Sequence, residues 1–98
     1  MKIEDLRIEI DAIDDELLRL LNRRAQLAIE VGTLKLAAGL PLYDPDREQR
    51  ILTRLCHTNT GPLDHQAITK LFERIIQEAR RIESHAAEVA GATVIREV

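Results

Sequence analysis

One uninterrupted amphipathic segment takes up the first third of this 98-residue chain and constrains its fold more than any other feature. No proline occurs in residues 4–38, and apolar residues recur there at intervals of three and four. The sequence therefore predicts one helix over residues 4–38, with Gly39 as its C-terminal cap and Pro41 as a stop. Such a helix is roughly 50 Å long, whereas a compact domain of this size has a radius of gyration of about 13 Å. We therefore expect a dimer in which the long helices of two chains pack on each other.

Two shorter amphipathic segments follow, and each has its own start signal. Asp44, which is followed by a proline, fits the N-cap of a second helix that runs to about His57. Residues 58–62 form a turn cluster, and Asp64 is expected to cap a third helix that ends near Ala87. The predicted fold class is therefore all-α, with one long and two shorter helices per chain.

The composition fits one small helical domain. Apolar residues make up 45% of the chain, enough for a core, and with only two aromatic residues that core must consist of aliphatic side chains. We assign residues 1–87 to the helical domain. Residues 88–98 are weakly patterned around Gly91, and we expect a C-terminal tail or linker there.

Several functional classes are disfavoured by charge and residue usage. The net charge is −3 with both signs interspersed, which argues against nucleic acid, and no apolar run is long enough to span a membrane. The N-terminus has no apolar signal-peptide core, and the single Cys56 cannot form an internal disulfide, so we expect a cytoplasmic setting. His57, His65 and His85 show no metal-ligand spacing with one another or with Cys56, so we expect no metal site.

Four charged residues lie on the otherwise apolar faces of the predicted helices. Arg24 and Lys35 lie on the first helix, about 20° apart in projection and about 16 Å apart along the axis. Glu48 takes a core position in the second helix, and Glu83 takes one in the third. Buried charges are costly unless they are paired or bind a ligand. The pattern indicates a polar pocket inside a helical bundle that holds a charged small molecule.

Each of these residues also has a purely structural interpretation. The long side chains of Arg24 and Lys35 could cover apolar surface while their charged ends reach water. Glu48 could form an ion pair with either of them inside the core and so fix the register of the helices. Glu83 could be a solvated residue near a helix end, since basic residues flank it.

Several stretches of the sequence together resemble a known family, the all-helical (AroQ-type, type II) chorismate mutases. These stretches are Leu6-Arg7, Ile10-Asp11-Ala12-Ile13-Asp14 and the leucines up to Arg24, Glu30-Val31-Gly32 with Lys35, Tyr43-Asp44-Pro45-Asp46-Arg47-Glu48, and Gly61-Pro62-Leu63 with the apolar residues up to Ile76. The resemblance spans about residues 5–84. It implies an isomerase that converts chorismate to prephenate in phenylalanine and tyrosine biosynthesis, without a metal or a cofactor. It also implies an intertwined homodimer of three-helix chains with two active sites.

The resemblance also implies roles for individual residues. Arg7 matches an arginine that reaches into the active site of the other chain, and Arg24 matches one that binds a substrate carboxylate. Lys35 matches a lysine that contacts both a carboxylate and the ether oxygen of the substrate. Glu83 stands at the second position beside the ether oxygen, where the commonest bacterial pattern has glutamine.

The segment before and within the second predicted helix matches the part of the family site near the substrate hydroxyl. Asp44 and Arg47 lie in this segment, and Glu48 matches the residue that accepts a hydrogen bond from the hydroxyl. Ala79 departs from the family pattern, because a serine at that position can contact the substrate.

Two other functions fit parts of the same pattern. Isochorismate pyruvate lyases share the fold and much of the site, although residues 43–48 look more like the mutases. A non-catalytic helical dimerisation or regulatory module is the second alternative, because buried ion pairs can be structural. Members of the resembling family are often joined to other aromatic-pathway enzymes, so residues 88–98 could begin a linker to such a partner.

Overall fold

A computed structural model describes the backbone of residues 1–97 and the side chains of residues 1–89. The chain folds into three helices. They are α1 (Ile3–Ala37), α2 (Pro45–Thr58) and α3 (His65–Glu97). No strand occurs in residues 1–97. The all-α prediction is therefore confirmed.

The C-terminus of α1 has the predicted glycine cap. Gly39 has a φ of +71°, a left-handed conformation that side chains with a Cβ rarely adopt. The Leu40 N–H donates to the Lys35 carbonyl at 2.8 Å, and the Gly39 N–H donates to the Leu36 carbonyl at 3.2 Å. These two bonds are the pair that defines a Schellman motif. The sharp end they give to α1 allows the chain to turn back toward α2.

The predicted start signals of α2 and α3 both cap their helices as the sequence indicated. The Asp44 carboxylate accepts a hydrogen bond from the Arg47 N–H at 3.0 Å at the start of α2. The Asp64 carboxylate accepts one from the Ala67 N–H at 2.8 Å at the start of α3. Each aspartate thus satisfies a backbone donor that the first helical turn leaves unpaired.

The predicted end of the third helix near Ala87 is wrong. Helix α3 continues to Glu97 and passes through Gly91 without a break. The interpretation of residues 88–98 as a tail or linker rests on side chains that, from residue 90 onward, lie outside the described residues, so it stays a prediction.

The helices form an elongated molecule. Helix α3 packs against both α1 and α2. The radius of gyration is 17.6 Å, well above the roughly 13 Å of a compact chain of this length. No described helix is both long enough and apolar enough to cross a membrane.

Very little of this chain is buried within itself. The buried residues among residues 1–89 are Gly32, Ile51, Ile76 and Ala79. The apolar face of α1 stays open, with Ile13 at 58% exposure and other leucines and isoleucines of the same face close to half exposed. An apolar face of this length is far larger than the scattered apolar residues of ordinary protein surfaces.

Candidate active site

All three helices contribute to a pocket of about 250 Å³. Its apolar lining comes from Leu27, Ala28, Val31, Leu42, Ile51, Ile76 and Ala79. Its charged lining consists of Arg24, Lys35, Asp44, Arg47, Glu48, Arg80 and Glu83. The fold therefore brings together all the sequence-predicted site residues except Arg7, and it adds Arg80.

Arg7 lies outside this pocket. Its side chain is 69% exposed, and its guanidinium lies 3.4 Å from the Glu4 carboxylate, one turn away on α1. Along the same helix, Arg7 is about 25 Å from Arg24. Arg7 therefore cannot reach the pocket of its own chain, and its assignment to the site of a partner chain stays a prediction.

The two cations of α1 reach the pocket from half-buried positions. Lys35 lies in the last turn of α1, and its Nζ donates a hydrogen bond to the Leu42 carbonyl at 3.3 Å. No carboxylate among the described residues forms an ion pair with Lys35 or Arg24. Both cations are therefore available to an anionic ligand.

Glu48 is paired, but not with the residues that the sequence suggested. Its Oε2 lies 3.1 Å from Nε of Arg80 on α3, so the suggested ion pair with Arg24 or Lys35 is wrong. Arg80 is not among the site residues that the sequence predicted. One signal could have found it, because Arg80 follows the buried Ile76 by four residues and so shares its face of α3.

Tyr43 also has a role that its sequence context did not suggest. The Arg80 guanidinium lies over the Tyr43 ring, with Cζ 4.9 Å from the ring centroid. This is the geometry of a cation–π interaction, and it connects the loop to α3.

Glu83 is a half-buried carboxyl group within α3 rather than a residue at its end. Burial raises the pKa of Glu83, the positive charges of Lys35 and Arg24 oppose that rise, and the negative charge of Glu48 reinforces it. The net effect is an upward shift, so burial outweighs the two cations. A protonated Glu83 can donate a hydrogen bond into the pocket.

Gly32 is the reason that Glu83 can approach α1 so closely. It is the buried residue of α1, and a Cβ placed there would lie 3.3 Å from Cγ of Glu83 and 3.7 Å from its Oε2. A side chain at this position would therefore press directly on Glu83. Gly32 therefore permits the close packing of α3 against α1 at this position.

A match to a protein-family model identifies the family of this chain. The family model described as "Chorismate mutase type II" matches residues 6–84. The chain belongs to the type II chorismate mutase family.

Curated relatives of this chorismate mutase family member are longer proteins. The bifunctional chorismate mutase/prephenate dehydratase of Escherichia coli strain K12 is 38% identical over an alignment of 98 residues. This alignment covers 87% of this chain and 25% of that protein. The protein of the same name from Aquifex aeolicus is 37% identical over 86 residues, which cover 84% of this chain and 24% of that protein. The chain thus spans about a quarter of the length of these relatives.

Solved structures of chorismate mutases match over almost their whole length. The chorismate mutase of Thermus thermophilus (form II) superposes with a TM-score of 0.84 and 40% identity, covering 86% of this chain and 96% of that one. The Helicobacter pylori chorismate mutase in complex with prephenate superposes with a TM-score of 0.80 and 34% identity, covering 88% of this chain and 93% of that one. These matches support the three-helix arrangement.

The pocket of this family member is suited to stabilising charge. Its lining has several cations and carboxyl groups but no cysteine, serine, threonine or histidine among the described residues. Arginine and lysine bind carboxylates, and a protonated carboxyl donates to a developing negative charge. The arrangement can therefore hold an anionic molecule and favour a reaction in which charge builds up on an oxygen.

Proposed function

We propose that this chain is a chorismate mutase, an isomerase that rearranges chorismate to prephenate in phenylalanine and tyrosine biosynthesis. The observation that carries the proposal is the one pocket lined by Arg24, Lys35, Glu48 and Glu83. These are the residues that helical periodicity placed on inward faces, and they match the positions implied by the family resemblance. Membership of the type II family supports the same activity.

Chorismate presents groups that suit each side of the pocket. It has two carboxylates, a ring hydroxyl and an enolpyruvyl ether. In the proposed complex, Arg24 binds one carboxylate in a bidentate manner, and Lys35 contacts a carboxylate and the ether oxygen. Glu48 accepts a hydrogen bond from the hydroxyl, with Asp44 and Arg47 beside it. Holding the folded conformer of the substrate in this way lowers the entropic part of the barrier.

The proposed chemistry is one pericyclic step, in which a C–O bond breaks while a C–C bond forms. It needs no nucleophile, metal or cofactor. Negative charge grows on the ether oxygen as the C–O bond lengthens, and the ammonium of Lys35 and the protonated carboxyl of Glu83 are the proposed donors to it. Fixed donors of this kind stabilise the transition state more than the ground state, which is what raises the rate.

The purified chain should consume chorismate and produce prephenate. The reaction is followed by the loss of chorismate absorbance, and the product is identified by chromatography. Release of pyruvate from isochorismate, without chorismate turnover, would instead identify an isochorismate pyruvate lyase. A folded chain that consumes neither compound would identify a non-catalytic helical module.

An intertwined homodimer is the functional unit that we propose. The open apolar face of α1 supports it, because those leucine and isoleucine side chains gain burial only from another chain. The distance of about 25 Å from Arg7 to Arg24 along one helix supports it as well. In the dimer, Arg7 of each chain would serve the pocket of the other chain.

A mixed dimer tests this arrangement. The variants Arg7→Ala and Arg24→Ala should each be strongly impaired, because each loses a carboxylate contact in both sites of its homodimer. Refolding or co-expressing the two together should restore activity, since each heterodimer then has one site with both arginines. Absence of any recovery, or a stable folded monomer in sedimentation at micromolar concentration, would contradict the proposal.

We also propose that residues 88–98 connect this domain to, or associate it with, another aromatic-pathway enzyme. The curated relatives that are named bifunctional support this, because the chorismate mutase part is joined in them to a prephenate dehydratase. A cytoplasmic setting stays our prediction from the cysteine usage.

A further inference from the structure

Arg80 makes the one ion pair in the described part of the chain that joins two helices. Its Nε lies 3.1 Å from Oε2 of Glu48, which connects α3 to α2. The other ion pairs within residues 1–89 link side chains three or four positions apart on the same helix, at the surface. The Glu48 side chain is only 22% exposed, so its charge depends on a partner more than those surface carboxylates do.

The position of Arg80 is fixed by its surroundings rather than by a hydrogen bond. Its guanidinium rests on the Tyr43 ring, 4.9 Å from the centroid. Its Nε is buried and makes no hydrogen bond to any described residue, although Glu48 lies within ion-pair distance. Tyr43 and the charge of Glu48 therefore hold the guanidinium from two sides.

The neighbouring charges show why such a cation matters in this pocket. Glu48 shares the lining with Arg24 and Lys35, which the proposed mechanism needs for the substrate. Without Arg80, the partly buried Glu48 carboxylate would be drawn to one of these two cations. Such a pair would block the carboxylate site and would also turn Glu48 away from the substrate hydroxyl.

We propose that Arg80 is a positioning residue, which holds the Glu48 carboxylate from the side of α3, against Tyr43, and so keeps Arg24 and Lys35 free for the substrate. This inference rests on the proposed chorismate mutase activity. It assigns a role to two side chains, Arg80 and Tyr43, that neither the periodicity nor the family resemblance placed in the site.

The test compares Arg80→Met with the control Arg81→Met. Arg81 is the neighbouring residue, and it forms an ion pair with Glu78 at the surface of the same helix. We expect Arg80→Met to lower kcat/KM by about 10- to 100-fold, within the range of coupling between residues of one salt-bridge network, and Arg81→Met to leave it unchanged. Arg80→Lys should recover most of the loss, because the charge beside Glu48 is restored. Equal activities of Arg80→Met and Arg81→Met would overturn the proposal.

A double-mutant cycle separates positioning from a merely structural role. If Arg80 acts through Glu48, the loss caused by Arg80→Met should shrink to about threefold or less in a Glu48→Gln background. A loss of the same size in both backgrounds would overturn the proposal. Thermal unfolding of every variant shows whether a loss of activity reflects a loss of folded protein.

A second pair of variants keeps the question answerable should Arg80→Met fail to fold. Tyr43 is 55% exposed, so its replacement removes little burial. Tyr43→Leu should reproduce part of the kcat/KM loss, while Tyr43→Phe, which keeps the ring, should not. Equal activities of these two variants would count against the role of Tyr43.

The wild-type chain distinguishes a failure of the proposed function from a failure of this inference. A folded wild-type chain without chorismate turnover would overturn both. An active wild type whose Arg80 and Tyr43 variants keep the same kcat/KM would overturn the inference alone.

Discussion

Replacing Lys35 with alanine should lower the kcat for chorismate by about 10²- to 10³-fold, the range typical of losing one donor to a developing oxyanion. Lys35 is half-buried and lines the pocket, and it has no carboxylate partner among the described residues, so its charge is available to the ether oxygen. KM should rise as well, because the same ammonium contacts a substrate carboxylate in the proposed complex. Separate measurement of kcat and KM resolves the two effects.

Two controls distinguish this catalytic role from a structural one. Lys70→Ala removes an exposed lysine of α3 and should leave both constants unchanged. Because Nζ of Lys35 also donates to the Leu42 carbonyl, thermal unfolding should be compared for the wild type and Lys35→Ala. Turnover within a few-fold of the wild type would remove Lys35 from the mechanism.

The activity should fall as the pH rises through the pKa of Glu83, by about tenfold for each pH unit above that pKa. Burial raises this pKa above the usual range of a glutamate, against the opposing charges of Lys35 and Arg24 and with the support of Glu48. The protonated form donates to the ether oxygen, whereas the ionised form repels the charge that develops there. The active form therefore predominates below the pKa and disappears above it. The measurement is kcat from mildly acid to mildly alkaline pH.

Glu83→Gln is the matched variant for the pH prediction. Glutamine donates from a neutral amide at every pH, so this variant should lose the alkaline decline and keep substantial turnover. Glu73→Gln, which changes an exposed carboxylate on the same helix, should retain the wild-type profile. A wild-type rate that does not vary with pH, or a Glu83→Gln profile of unchanged shape, would contradict the proposed role of Glu83.

The helix boundaries were predictable where capping groups specify them. The Asp44 and Asp64 side chains and the Gly39 backbone act on groups within a few residues, so local sequence contains the information. The end of the third helix was mispredicted because no comparable signal marks it. The weak apolar pattern around Gly91 suggested an end near Ala87, but a glycine inside a helix costs only about 1 kcal/mol and does not end it.

The inward direction of the site residues also followed from the sequence. The period of 3.6 residues fixes the direction of each side chain relative to its own helix axis. That sufficed to place Arg24, Lys35, Glu48 and Glu83 on apolar faces, and the structure places these side chains in one pocket. It did not suffice for their partners, as the wrong pairing predicted for Glu48 shows.

The sequence by itself thus determined three helices, their caps and the charges on their inner faces. The tertiary structure alone decided that Arg80 contacts Glu48 and Tyr43, and that Gly32 leaves room for the Glu83 side chain against α1. The physical reason is that these contacts join residues far apart in the chain. They depend on how far each helix is rotated and shifted against its neighbours, and the packing of whole helix faces sets that rotation.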